Sequence, residues 1–406
     1  CMPGFTTRTV GSQDHSACVC SQGSYLPKGS STCASCPEGL VCAEGSDESV
    51  EGLLPQLQYG HWSATQRPLK VFRCVFENHC PGGLAETCAE NRDVASVACG
   101  RCAADAYQDS SKGCFACGNK GSIWSVVLVC VVGSVIALTC LALVVNRDVL
   151  QQQHATVTCA TVLGLTFTGL QTLGVFDSLA VNFVEPLSVF LEAFTVLSFD
   201  IGFVKTGCFL GHDVVNNYLV RQLIAPVGLL VMAVVIAIKT WRHGGFVEQL
   251  TNSGGTMFSL FFISVTISAI MPFVLFSHPG DSGWSVRAYP SVLTGSSEYA
   301  HLLTVACSAL MLVVLPFFAV VAYGTYMYKR LVLSTCGRRQ LLAFRFLYFR
   351  FKPSCSHYGA VALSRSLLLC LVPVVIQDDA ATQMLAISTT IMGFMVHQAL
   401  TCPWKQ

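Results

Sequence analysis

The chain has 406 residues, of which 52% are hydrophobic and only 12% are charged, whereas roughly a quarter of the residues in an ordinary soluble domain are charged. This composition argues against a soluble enzyme, and the formal net charge of +1 gives no basis for nucleic-acid binding. Thirteen of the 22 cysteines lie between Cys1 and Cys117. Two regions of different chemistry therefore share one chain.

Residues 1–121 are predicted to form a cysteine-rich domain in an oxidising compartment, because their cysteine content exceeds the roughly 8–10% that marks a disulfide scaffold. They carry 9 Lys and Arg against 12 Asp and Glu, whereas the remaining residues carry 15 against 11. No signal segment precedes Cys1, so we expect the sequence to be a mature or truncated segment. The odd cysteine count predicts that one thiol, such as Cys1, has a partner elsewhere, either upstream or at Cys208.

An internal repeat of cysteine spacing occurs in this region: Cys18-x-Cys20 then Cys33-x-x-Cys36, and Cys99-x-x-Cys102 then Cys114-x-x-Cys117. Four thiolates at such spacing could bind zinc, but the oxidising context favours disulfides. Pairing first with third and second with fourth gives Cys99–Cys114 and Cys102–Cys117, each loop contributing roughly 3 kcal/mol, although other connectivities stay open. The disulfide candidates are Cys18, Cys20, Cys33, Cys36, Cys42, Cys74, Cys80, Cys88, Cys99, Cys102, Cys114 and Cys117.

Between the repeats, the stretch Leu53 to Pro81 is rich in aromatic and β-branched residues and predicts a short hairpin packed on the crosslinks. Tyr59 and Trp62 are expected to form its small core. Ligand binding by these aromatic residues is the alternative, and we assign no site there.

The cysteine-rich segments CVCSQGSYLPKGSSTCASCPEGLVC and CGRCAADAYQDSSKGCFACG resemble the ephrin-receptor-like repeats of many protist membrane proteins. In single-celled eukaryotes such repeats often precede a polytopic region similar to the transient-receptor-potential-like families, and the layout of the second half resembles that region. The resemblance implies a channel-like bundle. A loop of these proteins carries cysteines near both ends, whereas Ser277 and Thr294 stand there in this chain, so the loop lacks that crosslink.

Residues 122–406 are predicted to form an all-α polytopic membrane bundle. The run Ser122 to Val145 has no charged residue, is long enough to span a hydrocarbon core of roughly 30 Å, and has Trp124 as an interfacial anchor. Seven more apolar runs follow: Ala155 to Phe176, Phe183 to Val204, Leu219 to Trp241, Thr256 to Phe276, Ala300 to Met327, Gly359 to Gln377 and Ala380 to Leu400.

Eight crossings from an external N-terminus would place the basic loop 328–353 outside, against the positive-inside rule. The run Phe183 to Val204 resolves this conflict, because Glu185, Glu192 and Asp200 fall within an arc of about 80° on one helical face. We therefore predict seven spans plus one amphipathic or re-entrant helix, with eight spans as the alternative. The loop's basic residues are Lys329, Arg330, Arg338, Arg339, Arg345, Arg350 and Lys352.

These basic residues are expected to lie on anionic inner-leaflet lipids, either as phosphoinositide sensors or as a plain positive-inside anchor. Arg365 is a further intramembrane charge, which either snorkels to cytoplasmic headgroups or pairs with Asp200 or Glu192. The threonine-rich second run is predicted to lie inside the bundle, packing against other helices or lining a polar pathway. Prolines in four later runs permit kinks.

The sequence contains no nucleotide-binding, hydrolase or metalloprotease motif, so we predict a protein that is not an enzyme and has no cofactor, catalytic residue or metal site. We expect an integral protein of the plasma membrane or an endomembrane. Its external or lumenal domain senses or docks an unknown protein or ligand, and its bundle is channel-like or sensory. The alternatives are a seven-helix signalling receptor and a structural anchor of an external assembly. Homo-oligomerisation is compatible with either, and nucleic-acid binding is not expected.

Overall fold

The computed structural model describes residues 1–9, 11–12, 14, 17–109, 112–118, 120–146, 154–176, 207–242, 244–334, 337–348, 350–377 and 379–404. They form two compact units, of which the first consists of Cys1–Tyr107, Cys114–Ala116 and Leu275–Ala300. The second unit consists of Gln108–Gly113, Cys117–Val274 and His301–Gln406. The segment Leu275–Ala300, which follows the cysteine-rich region by more than a hundred residues, thus belongs to the same unit as that region.

The first unit is built from short strands, because its many Gly and polar residues favour turns and supply little apolar core. The strands are β1 (Phe5–Thr7), β2 (Cys18–Cys20), β3 (Ser24–Leu26), β4 (Ala34–Ser35), β5 (Leu40–Val41), β6 (Ser46–Asp47), β7 (Gln56–Leu57), β8 (His61–Ala64), β9 (Arg67–Arg73), β10 (Ala106–Gln108), β11 (Cys114–Ala116), β12 (Leu275–Ser277), β13 (Trp284–Val286) and β14 (Tyr289–Leu293). They pair as β1–β2, β4–β3–β6, β5–β7, β8–β9, β10–β11 and β12–β13–β14.

The predicted hairpin between Leu53 and Pro81 is confirmed. Strands β8 and β9 pair antiparallel with Trp62 opposite Phe72. Trp62 is 2% exposed and belongs to the core of the unit, whereas Tyr59 is 59% exposed. The prediction of Tyr59 as a core residue was therefore wrong, because it lies in the turn before β8 rather than on the buried face of the hairpin.

Seven disulfides crosslink the described residues, and all twelve candidate cysteines take part. They are Cys1–Cys18, Cys20–Cys33, Cys36–Cys42, Cys74–Cys80, Cys88–Cys99, Cys102–Cys114 and Cys117–Cys208. These cysteines therefore offer no thiolate to zinc. Cys208 supplies the partner that the odd count required.

The pairings Cys99–Cys114 and Cys102–Cys117 were wrong. Ala98 and Cys99 both adopt the left-handed conformation, with φ of 53° and 51°, in a turn where Cys99 bonds to the preceding Cys88 at a Cα–Cα distance of 5.7 Å. Because Cys99 is already bonded to Cys88, Cys114 bonds to Cys102 instead, and Cys117 bonds to Cys208. The spacing of cysteines in the sequence does not predict such a turn.

The second unit is a helix bundle. Its helices are α1 (Lys120–Val145), α2 (His154–Phe176), α3 (Gly207–Leu210), α4 (Val214–Thr240), α5 (Phe246–Ile270), α6 (Ser297–Ala309), α7 (Leu315–Leu333), α8 (Arg338–Ala343), α9 (Arg345–Tyr348), α10 (Tyr358–Val375) and α11 (Ala380–Thr401). A π-helical turn, Leu310–Val314, joins α6 to α7, and the first residues of α6 lie in the first unit.

Six of these described helical segments are long and apolar enough to cross a membrane: Trp124–Val145, Val214–Thr240, Phe246–Phe273, Ser297–Leu333, Tyr358–Val375 and Ala380–Thr401. The apolar part of α2, Val162–Phe176, is shorter. A helical membrane bundle after the cysteine-rich region is thereby confirmed, and the count of seven crossings stays a prediction. The run Phe183 to Val204, with Glu185, Glu192 and Asp200, lies outside the described residues.

Helix α5 occupies the centre of the bundle. It packs against α1, α2, α4, α8, α9 and α10, and 61% of its apolar stretch is buried, compared with 6% in α1 and α11. The second run was predicted to lie inside, but α2 is only partly interior. Its Gln171 is fully buried, whereas Leu163 is 64% exposed.

One hydrogen bond joins α2 to the central helix: Gln171 Nε2 donates to Ser264 Oγ at 2.8 Å. We expect Ser264→Ala to lower the free energy of unfolding in detergent by about 1 kcal/mol, because it leaves a buried amide donor without this acceptor. Ser308→Ala is the matched control, since Ser308 is exposed and bonds only to the carbonyl of Val305 in its own helix. Equal midpoints of thermal unfolding for the two variants would contradict this expectation.

Contacts between helix termini identify the two ends of the bundle. Cys117 bonds to Cys208, so the starts of α1 and α4 lie together at what we call the disulfide end. At the other end, Asn146 after α1 donates to Ser253 Oγ near the start of α5 at 2.6 Å. Phe346 of α9 fills the space beside Gly255 of α5. This contact places the basic loop 328–353, which we also call the basic segment, at this second end. We call it the basic end, and positive-inside topology requires this separation.

Candidate functional site

The most distinctive site in the first unit is the contact between the cysteine-rich region and the segment Leu275–Ala300, which we call the clasp. Leu293 of β14 packs on the buried cluster that contains Trp62 and Phe72. Gly100 lies against the backbone of β14, since a Cβ atom added to it would stand 2.7 Å from the Ser291 nitrogen and 3.2 Å from the Pro290 carbonyl carbon. Only glycine permits this approach without movement of one backbone.

Arg101 adds the polar contacts of the clasp. Its Nε donates to Ser291 Oγ at 3.1 Å, and its Nη2 forms an ion pair with Glu298 Oε2 at 2.6 Å. The two side chains are 29% and 42% exposed, so the pair contributes about 0–1 kcal/mol. Its larger effect is to fix the register, because the planar guanidinium holds two partners in set directions.

His278 is the buried titratable group of the clasp. It is 7% exposed and lies edge-on between the rings of Phe72, at 5.2 Å, and Phe276, at 5.6 Å. Within the described part of the chain, neither ring nitrogen has a hydrogen-bond partner. Burial lowers the pKa of His278 to about 4, and the nearby backbone of Arg73, although not in hydrogen-bond geometry, partly opposes this shift. The ring is therefore neutral near pH 7.

Positive charges lie over the two rings that flank this histidine. The guanidinium groups of Arg73 and Arg287 lie over the Phe276 ring at 5.6 and 5.7 Å, and the ammonium of Lys70 lies 5.6 Å over the Phe72 ring. The carboxylate in the same turn belongs to Asp281, which is exposed. Protonation of His278 would therefore place a charge in a buried site whose two flanking rings already carry three cations and no carboxylate, which is unfavourable.

The clasp replaces the crosslink whose absence the sequence indicated. The segment between Ser277 and Glu298 has no cysteine. The sheet β12–β13–β14 holds the segment together internally, and the Gly100 contact and the Arg101–Glu298 pair attach it to the cysteine-rich region. Sequence reasoning missed Gly100, Arg101 and His278. Arg101 and Glu298 are 197 residues apart, and neither residue belongs to a motif that would have linked them.

The predicted basic residues lie in two different environments. Lys329, Arg330, Arg338 and Arg339 are exposed, whereas Arg345, Arg350 and Lys352 are half-buried. The segment does not lie as one flat amphipathic helix, because the aromatic and leucine side chains of α8 and α9 pack into the bundle. Phe344 and Leu347 lie beside Gly324 of α7, and Leu347 also lies beside Gly359 of α10.

Arg365 lies within α10. Its Nε is buried and has no hydrogen-bond partner among the described residues, and Tyr358 is its electrostatic neighbour. The Tyr358 hydroxyl itself donates to Gln398 Oε1 of α11 at 3.1 Å. The proposed pairing of Arg365 with Asp200 or Glu192 lies outside the described residues.

No family model matches this chain, and no curated protein or solved structure is significantly similar to it. The likeness to ephrin-receptor-like repeats and to transient-receptor-potential-like families therefore has no support beyond the motifs themselves. The fold defines a broader class: a disulfide-linked, cysteine-rich unit followed by a bundle with six membrane-capable helices. This class corresponds to an integral membrane protein, and the disulfides are consistent with an extracellular or lumenal position of the first unit.

Proposed function

We propose that this protein is a membrane sensor in which docking of an external protein or ligand to the disulfide-rich unit is transmitted through the clasp to the helix bundle. The observation that carries this proposal is the position of Leu275–Ala300 in the chain. The segment belongs to the first unit, yet it leads directly from the central helix α5 and into α6. A displacement of the clasp therefore acts on both helices through the covalent chain.

The helix that follows the clasp contains a hinge. Between α6 and α7, Leu310–Val314 forms a π-helical turn, and Pro316 follows it in the first turn of α7. A π-bulge widens the helix by one residue, and a proline removes a backbone donor, so both features allow bending. A movement of Glu298 would thus bend the helix at this hinge, Leu310–Val314.

A channel-like bundle is the more specific form of this proposal. It is favoured by three fully buried polar side chains in the central helix: Ser253, Ser264 and Thr266, each with 0% exposure. Polar groups in a membrane helix are retained for helix packing or for a pathway, and Thr266 Oγ1 has no hydrogen-bond partner among the described residues. A seven-helix receptor and a structural anchor are the competing functions, and the experiment below separates them.

The test uses the full chain in nanodiscs. Arg101→Gln removes the guanidinium contacts to Ser291 and Glu298, and we expect amide hydrogen exchange at residues 310–314 to accelerate several-fold. Arg67→Gln is the control, because Arg67 is an exposed arginine of β9. If exchange at β14 accelerated while exchange at 310–314 stayed unchanged, transmission through the clasp would be wrong.

Conductance of the same preparation is then measured in planar bilayers, to distinguish a channel from a receptor or an anchor. Conductance that changes when the disulfides are reduced would support the channel. Absence of conductance under every condition would reject it, and guanine-nucleotide exchange on an added G protein would then favour the receptor. A stably bound external partner with neither activity would favour the anchor.

A further inference from the structure

Three cationic side chains lie together in the first unit, and we call them the cationic triad: Lys70 and Arg73 of β9, and Arg287 directly after β13. Arg73 and Arg287 lie over the same Phe276 ring, at 5.6 and 5.7 Å from its centre. At most the sum of these two distances therefore separates their guanidinium groups. Lys70 lies 5.6 Å from the centre of the Phe72 ring. The triad thus draws on both the cysteine-rich region and the segment Leu275–Ala300.

The two rings that carry the triad are close neighbours. Both contact the His278 ring, at 5.2 Å for Phe72 and 5.6 Å for Phe276. A cation over the face of an aromatic ring is attracted by the ring's quadrupole, so these long side chains are partly ordered before a ligand arrives. Such ordering lowers the entropic cost of binding. The triad is therefore a preformed group of charges.

The triad is a positive region on a negatively charged unit. Residues 1–121 carry 9 Lys and Arg against 12 Asp and Glu, and the segment Leu275–Ala300 carries one basic residue against two acids, Asp281 and Glu298. Cations placed close together repel one another, and an anionic ligand would offset this repulsion. Guanidinium groups suit phosphate-like oxoanions, because they bind two oxygen atoms through parallel hydrogen bonds.

The surroundings of the triad favour a ligand that is recognised by charge. Phe72 and Phe276 are only 5% and 8% exposed, so they offer no apolar pocket to an anchoring side chain of a protein partner. Trp284 is 41% exposed, but it pairs with Ser277 and so lies on the other face of the sheet from Phe276. Strand β9, RPLKVFR, has three basic residues among seven, and short basic stretches of this kind are typical of heparin-binding surfaces.

We propose that the cationic triad binds a sulfated polysaccharide, which contacts β9 and the segment Leu275–Ala300 at the same time. Bound in this way, the polysaccharide adds a crosslink between the two parts of the first unit and so reinforces the clasp. This ligand class specifies the docking step of the proposed sensor, and it rests on that proposed function for the external or lumenal position of the unit.

The test measures binding of a heparin oligosaccharide of defined length to the full chain in nanodiscs of neutral lipid. Lys70→Gln with Arg73→Gln is expected to weaken binding by about tenfold or more, because it removes charge-assisted hydrogen bonds. The matched control is Lys28→Gln with Arg8→Gln, which removes one lysine and one arginine from exposed positions of the same unit. We expect its affinity to stay near that of the natural chain.

Equal losses in the two double variants would overturn the proposal, because they would indicate diffuse attraction to the whole unit. Absence of heparin binding to the natural chain would overturn it as well. Heparin binding that fell instead in Arg338→Gln with Arg339→Gln would place the ligand on the basic segment, again contradicting the triad.

A hydrogen-exchange footprint on the natural chain keeps the test decisive if the Lys70 and Arg73 variant does not fold. Heparin is expected to slow amide exchange in β9 and in β12 to β14 several-fold and to leave β1 and β2 unchanged. Unchanged exchange in β9 at saturating heparin would contradict the proposal.

A poly-glutamate peptide of matched charge is titrated in parallel with heparin. Tighter binding of the peptide that depends on Lys70 and Arg73 would reject the polysaccharide and identify an acidic protein segment as the ligand. Failure of this ligand assignment is distinguishable from failure of the sensor, because exchange at 310–314 in Arg101→Gln tests transmission without any ligand.

Discussion

Gly100→Ala is expected to release the segment Leu275–Ala300 from the cysteine-rich region. The added methyl group would stand 2.7 Å from the Ser291 nitrogen and 3.2 Å from the Val97 oxygen. Both atoms belong to the backbone, so no side chain can move aside. Overpacking of this kind costs about 1–3 kcal/mol. The backbone of Gly100 itself is helical, with φ of −76°, so the effect comes from the contact and not from local strain.

Gly52→Ala is the matched control, because no atom lies within 4 Å of the position that its Cβ would occupy. The measurement is amide hydrogen exchange at Ser291 to Thr294 in the full chain. Faster exchange in Gly100→Ala, with unchanged exchange in Gly52→Ala, is the expected result. If both variants exchanged at the rate of the natural chain, Gly100 would not be a close contact of the clasp.

Acidification is expected to loosen the clasp through His278. The pKa of this histidine falls from the ordinary 6.5 to about 4 in the folded unit because of burial. The unfolded or opened state therefore binds more protons, and stability falls as the pH falls. The contribution is fully present above pH 6.5, is lost between pH 6.5 and 4, and amounts to roughly 3 kcal/mol in total.

His278→Phe keeps a ring between Phe72 and Phe276 but cannot take up a proton, so it is expected to remove most of the pH dependence of clasp opening. His301→Gln serves as the control, since His301 is exposed. Opening is followed by hydrogen exchange at β12 to β14, corrected for the intrinsic effect of pH on exchange. A pH dependence that persisted unchanged in His278→Phe would show that other groups carry it.

Local patterns predicted much of the fold. The uncharged run from Ser122 to Val145 specified α1, because its length and hydropathy leave few alternatives. The aromatic alternation before Pro81 specified the hairpin with Trp62 at its centre. These features depend on neighbours in sequence, which periodicity can read. The connectivity of Cys99 could not be read in this way, since it depends on a left-handed turn.

The clasp could not be predicted because its members come from distant parts of the chain. Gly100 followed by Arg101 is an ordinary dipeptide, and its importance arises only from the approach of Ser291 and Glu298. In the sequence, His278 is one of several scattered histidines, and only the structure shows that it lies beside Phe72. The basic segment was predicted from its charges, but its phenylalanines, which insert toward Gly255 and Gly324, decide where it lies.

We expect the cysteine-rich region and the segment Leu275–Ala300 to form one cooperative unit. Native-state hydrogen exchange at neutral pH tests this expectation most directly, by comparing the opening free energies of β8–β9 with those of β13–β14. We expect similar values in the natural chain and a parallel decrease of both in Gly100→Ala. Rapid, independent exchange of β13–β14 beside a fully protected β8–β9 hairpin would contradict it.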